Sequence, residues 1–310
     1  MSKIFNFKIY AMLVTSTVCW GGAFVAAKFV VLELHPTVAA ALRFTLAFLV
    51  LLVFLIAREG KQAWVHPKEW LLLWGAALTG IAFYNILFFT GLIYTSPVNG
   101  SLLVATGPVI TTIISGVFLK EAISNKQIAG LILSIIGVII IISRGSLGTL
   151  LSLNFNHGDL LMAAAVFGWS LYTLIGKATA KRWSSLLTTT YACGLGALIL
   201  WVSALPQLGQ VQWQEISIIT IGAVAFLAIF ASAIGFVFWY EGIASIGPSR
   251  AAIFQNLVPA FSATFSYFLL KESLMLFHWF GAGMILYGVY LANKKNKSSL
   301  LVASPQPEQI

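Results

Sequence analysis

Charge is scarce in this chain. Asp, Glu, Lys and Arg together make up 9% of its 310 residues, against about 25% in soluble domains. A soluble globule is excluded, because too little polar surface exists to cover a core. Cysteine is also rare: Cys19 and Cys193 both lie inside hydrophobic runs. Two such residues give neither a disulfide framework nor metal-ligand spacing, so no metal site and no cofactor are expected. The four histidines, His35, His66, His157 and His278, fall near the ends of hydrophobic runs. The chain contains no H-E-x-x-H, no nucleophile elbow and no phosphate loop, which argues against an enzyme and against a nucleotide-driven pump. A filter-like loop or a charged ring, expected of a channel, is missing too. Acids number 9 against 18 bases, a formal net charge of +9. That excess is not a nucleic-acid footprint. The bases sit in short loops between hydrophobic runs, where they set membrane topology.

What is present is apolar. Hydrophobic residues make up 59% of the chain, and the mean hydropathy is +0.94. A membrane span needs about 20 mostly apolar residues. The sequence then reads as an all-α integral membrane protein with ten transmembrane helices. The first five fall near 9–31, 37–57, 70–93, 97–119 and 126–143. The second five fall near 158–177, 184–204, 217–243, 248–270 and 275–293. The runs are continuous and too long for barrel strands. The first run follows Lys3 and Lys8 but exceeds the length of a signal-peptide core, so it reads as a retained helix. With the N-terminus inside, basic residues such as Arg58, Lys61, Lys68, Lys181, Arg182 and Lys295 gather on the inner side, while the outer loops keep Arg144 and Lys271. Both termini are therefore expected in the cytoplasm.

The chain also repeats itself. The stretch 91–138 returns at 242–289 with an offset of 151 and no gap. Pro97 matches Pro248, Pro108 matches Pro259, and Lys120-Glu121 matches Lys271-Glu272. Gly130 matches Gly281, and Gly137 matches Gly288. Upstream, at an offset of 149, Trp20 and Lys28 match Trp169 and Lys177. Five helices per half would make the second half enter the membrane in the opposite sense. The expected organisation is two inverted five-helix repeats, residues 1–146 and 147–293, followed by a disordered cytoplasmic tail, 294–310. Such symmetry is a mark of secondary transporters.

The combined pattern resembles the drug/metabolite transporter superfamily, and within it the EamA-type permeases. The resemblance covers about residues 9–293. Its carriers are Trp20-Gly21-Gly22 with Lys28, and His35-Pro36 followed by Ala41-Leu42-Arg43-Phe44. Two Pro-x10-Pro-x11-Lys-Glu blocks complete it, each leading into a helix with two glycines seven apart. The resemblance implies a central cavity lined by helices one to four and six to nine, with helices five and ten peripheral. It implies export of amino acids, related metabolites or drugs. Arg43 departs from the internal symmetry, since its counterpart is Ala192.

Several residues are candidates for the transport site. Pro108 and Pro259 are matched mid-span prolines. Each removes a helix hydrogen bond and frees the carbonyl four residues back, and matched helix breaks point to a binding site. Gln255 and Asn256 are adjacent amides in a span, costly unless paired or wetted. Asn85 and Asn99 are their candidate partners from the first half. Arg43 could hold a substrate carboxylate bidentately, or snorkel to the outer surface. Trp20 and Trp169, a repeat-related pair, could stack on substrate, as could Tyr84, Tyr172 and Trp239. Glu241, near the inner end of helix eight, could take a proton during coupling, or sit as an interfacial acid near Arg250. The expected function is a secondary transporter of the cell membrane that exports amino acids or related small metabolites by alternating access. An exporter of hydrophobic or cationic drugs is the other reading that the aromatic content allows. The expected partners are a small-molecule substrate, protons and the bilayer. No nucleic acid is expected, and the oligomeric state is left open.

Overall fold

The computed structural model describes residues 2–94, 103–152, 156–271 and 275–294. Asn99, Pro97, Glu272 and most of the C-terminal tail lie outside the described residues. The described chain is all-α. Helix α1 is Ser2–Glu33 and α2 is Pro36–Glu59. Helix α3 runs as Trp70–Ala76, a π-helical segment Ala77–Phe83, and Tyr84–Tyr94. Helix α4 is Gly107–Phe118 and α5 is Asn125–Ile142. After the short helix Leu147–Leu151 come α6, His157–Thr179, and α7, Ser185–Leu208. Helix α8 runs as Ile218–Phe226, a π-helical segment Leu227–Ile234, and Gly235–Ile246. Helix α9 is Pro248–Ile253, a 3-10 turn Phe254–Leu257, and Val258–Leu270. Helix α10 is Leu276–Asn293.

Local chemistry explains many of the boundaries. Ser124, Ser184 and Ser217 accept backbone N–H groups at the starts of α5, α7 and α8. Asn156 and Asp159 form a capping box at the start of α6. These polar side chains satisfy the first-turn donors that a helix leaves without partners. Pro36 and Pro248 occupy first-turn positions, where a missing N–H costs nothing.

Seven segments among the described residues are long and apolar enough to cross a membrane: Phe7–Glu33, Pro36–Ala63, Pro67–Gly91, Asn125–Ile142, His157–Thr179, Ser185–Leu208 and Ile218–Ile246. Leu103–Phe118 is a shorter apolar helix. The expected breaks at the two matched prolines are present. Pro108 opens α4 after a turn at Thr106, and Pro259 follows the 3-10 turn that splits α9. The chain is thus an all-α, multi-pass membrane protein.

Small residues set the packing. Helices α5 and α10 lie antiparallel with backbones in close approach. A Cβ on Gly137 would fall 2.6 Å from the carbonyl oxygen of Gly281, and one on Gly288 would fall 2.6 Å from that of Gly130. Only glycine permits this approach. Helix α1 packs on α8 and α9, with Gly21 against Phe261 and Leu13 against Gly242. Helix α6 packs on α3 and α4: Gly168 sits against Phe83, and Thr111 donates to Ser170 at 3.0 Å. Helix α2 packs on α7, where Trp201 Nε1 donates to Thr45 Oγ1 at 2.8 Å.

Candidate functional site

The aromatic residues singled out in the sequence meet at the centre of the bundle. The Trp20 ring lies 5.5 Å from Trp169, edge to face, and 5.3 Å from Trp239. Trp169 lies 5.4 Å from Tyr84 and 5.2 Å from Tyr172. These distances and tilts are those that aromatic quadrupoles favour. Four helices, α1, α3, α6 and α8, supply the cluster. Phe236 joins it through Trp20, Trp169, Tyr172 and Phe44. Tyr240 stacks on Tyr172 at 4.7 Å and donates to its backbone carbonyl. Trp239 and Tyr172 are wholly buried and Trp169 is 8% exposed, so the centre is closed in this conformation.

Two π-helical segments flank the centre, one in α3 and one in α8. They lie about 150 residues apart, close to the repeat offset. A π turn shifts the hydrogen-bond register and leaves backbone groups for other partners, and such turns concentrate at functional sites. In α8 the Gly235 N–H reaches back to Phe230 O, while Trp20 Nε1 donates to Ala231 O at 2.9 Å. Ser16 donates to Gly235 O at 2.9 Å. In α3 the carbonyl of Ile81 accepts from Asn85 Nδ2 at 2.7 Å. Asn85 thus spends one amide proton on its own helix.

Arg43 reaches into the same region. Its Nε donates to Ser232 Oγ, in the π segment of α8, at 2.7 Å. The guanidinium carbon lies 4.9 Å from the Phe44 ring centroid. Tyr84 and Cys193 lie near it. Arg43 is therefore engaged across the bundle and does not snorkel outward. Two indole donors in the cluster have no hydrogen-bond partner among the described residues: Trp169 Nε1 and Trp239 Nε1. Buried donors without partners are rare and costly, and a ligand or water that accepts from them would remove the cost.

The remaining candidates separate. Gln255, in the 3-10 turn of α9, faces the start of α4, where a Cβ on Gly107 would lie 3.7 Å from its Oε1. Its side-chain oxygen thus lies beside the other proline break. Asn256 is buried and turned to α5, where its Nδ2 donates to Ser134 Oγ at 2.7 Å. Adjacent residues on a helix diverge by about 100°, so the pair splits between two environments. Glu241 is half-buried in α8, about 13 Å along the helix from Ser232 at 1.5 Å per residue.

Sequence reasoning did not place Ser232, Phe236 or Cys193 at the site. It also missed a link at the α8–α9 turn. Glu121 accepts from Ser249 Oγ at 2.7 Å and from Ser249 N at 3.4 Å. The turn passes through Gly247 at φ +87, a conformation that favours glycine. Lys177, the repeat mate of Lys28, donates to Ala244 O at 2.9 Å, closing the C-terminal end of α8.

A bundle of apolar helices with an interrupted, polar-lined centre has the features of a carrier. The EamA-like transporter family model matches residues 7–143 and again 156–294. The chain belongs to this family. It is similar to the uncharacterized transporter YyaM of Bacillus subtilis, 36% identical over 288 residues that cover 93% of this chain and 94% of the relative. An uncharacterized transporter of Archaeoglobus fulgidus is 30% identical over 290 residues, 94% of this chain and 99% of the relative. A solved crystal structure superposes with a TM-score of 0.79 at 18% identity, covering 96% of this chain and 99% of that one. That likeness shows the fold alone. Family membership makes the chain a multi-pass transporter of the cell membrane, in the drug/metabolite transporter superfamily, and not an enzyme.

Proposed function

We propose that this chain is a secondary transporter that exports amino acids or related small metabolites by alternating access. Its frame is ten spans arranged as two inverted repeats, residues 1–146 and 147–293, with both termini cytoplasmic. The α5–α10 seam supports the inversion. Gly130 meets Gly288, and Gly137 meets Gly281, while the sequence pairs Gly130 with Gly281 and Gly137 with Gly288. This crossed, antiparallel register is what a two-fold axis perpendicular to the helices, in the membrane plane, would produce.

The observation that carries the substrate reading is Arg43, a guanidinium within a span, bonded to Ser232 beside the aromatic centre. An intramembrane charge of this kind faces a cavity or a partner by default, and Arg is suited to bidentate capture of a carboxylate. Trp20, Tyr84, Trp169, Tyr172 and Trp239 would contact the apolar part of the substrate. Pro108, Pro259 and Gln255 would form the two breaks about which the halves rock. Glu241 would carry the coupling proton.

The test is flux in proteoliposomes loaded with labelled amino acids or with a cationic dye, with and without a pH gradient. Saturable amino-acid flux supports the reading. Dye flux alone would move the chain to export of hydrophobic or cationic drugs, which Arg43 should oppose.

A further inference from the structure

We infer that the aromatic centre selects an organic carboxylate that carries no ammonium group of its own, seated on Arg43 with its guanidinium fixed by Ser232. This rests on reading the centre as the transport site and narrows its substrates to the related small metabolites, away from zwitterionic amino acids. Three observations support it.

The first is what remains of the guanidinium. Its Nε is spent on Ser232 Oγ, a side chain wholly buried in the π segment of α8. Neither Nη group makes a hydrogen bond to another described residue. The two Nη donors of the planar guanidinium, oriented by the Nε bond, fit the two oxygens of a carboxylate.

The second is that the rest of the centre donates. Trp169 Nε1 and Trp239 Nε1 are buried without partners among the described residues. Trp20 Nε1 is already committed to Ala231 O. The indoles can only donate. The open polar valences therefore suit a ligand rich in acceptors.

The third is where the acids are. Each acid in the described helices around the centre is occupied or distant. Glu33 accepts from Ser217 N at 2.8 Å. Asp159 caps the start of its own helix. Glu59 accepts from Ser184 Oγ at 2.5 Å. Glu241 lies about two and a half helical turns from Ser232, about 13 Å. Helices α3, α4, α7 and α9 contain no acid over their described ranges. An ammonium brought to the centre would meet Arg43 and no countercharge, and an unpaired charge out of water is costly. The aromatic faces offer no ready cage, since Trp20 and Trp169 are packed edge to face against each other. A monoanion, by contrast, neutralises Arg43.

Three ligands with one apolar body separate the outcomes: 3-phenylpropionate (anion), phenylalanine (zwitterion) and phenethylamine (cation). Equilibrium binding of each, radiolabelled, is measured on the full-length protein in nanodiscs at pH 7. The expected order is 3-phenylpropionate first, phenylalanine weaker by about tenfold or more, and phenethylamine without saturable binding. Ser232→Ala should weaken 3-phenylpropionate binding by about fivefold or more, and Ser232→Thr should restore it, because the hydroxyl is kept. Phenylalanine binding as tightly as 3-phenylpropionate would overturn the inference while leaving the carboxylate site at Arg43 in place. Binding of the anion that is unchanged in Arg43→Gln would overturn both. No binding of the anion to the wild-type protein would overturn the inference, and amino-acid flux in proteoliposomes would then decide the broader reading separately.

Discussion

The indole of Trp20 donates to the carbonyl of Ala231 at 2.9 Å, tying the middle of α1 to the π segment of α8. This bond joins the two halves of the chain at the aromatic centre. It also satisfies a backbone carbonyl in a region where water is scarce. Trp20→Phe keeps the ring and removes the donor. The loss should cost about 1–3 kcal/mol and lower the thermal midpoint in detergent. Trp20→Phe should lose more stability than Trp213→Phe, since Trp213 lies in the short 3-10 turn before α8 and is 48% exposed.

The α5–α10 seam makes a second prediction. A side chain at Gly137 would meet the Gly281 carbonyl, whereas a Cβ at Gly283 meets nothing within 4 Å. Gly137→Leu should destabilise the protein by roughly 1–3 kcal/mol through overpacking, and Gly283→Leu should be close to neutral. Thermal unfolding of both variants in the same detergent checks the difference.

Glu121 should matter more than its place at a helix end suggests. Its carboxylate accepts from both the side chain and the backbone N–H of Ser249, at the first turn of α9. Removing a capping acceptor costs about 1 kcal/mol. Glu121→Ala should therefore lower stability, and Glu121→Gln should lose less, because an amide oxygen still accepts. Ser249→Ala combined with Glu121→Ala should cost little beyond Glu121→Ala alone, as a double-mutant cycle would show.

The membrane orientation can be read by labelling. Cys19 and Cys193 are buried, so their background reaction should be low. Ser146 and Lys181 are exposed at opposite ends of the bundle in the proposed topology. A membrane-impermeant thiol reagent applied to intact cells should label Ser146→Cys and spare Lys181→Cys. The reverse pattern would place the termini outside.

Coupling is tested at Glu241. In the proposed scheme Glu241→Gln retains substrate binding but makes flux independent of the pH gradient. A Gln variant that keeps gradient dependence would remove Glu241 from the coupling step.

Much of the frame was legible because it follows from length and hydropathy. The runs expected at 37–57, 158–177 and 217–243 fall on Pro36–Glu59, His157–Thr179 and Ile218–Ile246. Pro108 and Pro259 marked the helix breaks because proline acts locally. The pairing of Trp20 with Trp169 was foreshadowed by their repeat relationship, and the rings do touch. The π segments were not legible. They depend on partners distant in sequence, such as Trp20 for Ala231 and Ser16 for Gly235. Ser232 was not legible either, since nothing local distinguishes a serine that meets an arginine 189 positions away. Gln255 and Asn256 could not be told apart, because their helical phase relative to α4 and α5 is a tertiary property. Asn256 turns to Ser134, and Gln255 faces Gly107.

The central claim is that Arg43 reads the substrate's carboxylate. The most direct measurement compares wild type and Arg43→Gln in proteoliposomes, using 3-phenylpropionate and its amide as paired substrates. The account predicts that wild type transports the acid in preference to the amide, and that Arg43→Gln loses this preference through a selective fall in acid flux. A preference for the acid that survives intact in Arg43→Gln would contradict it.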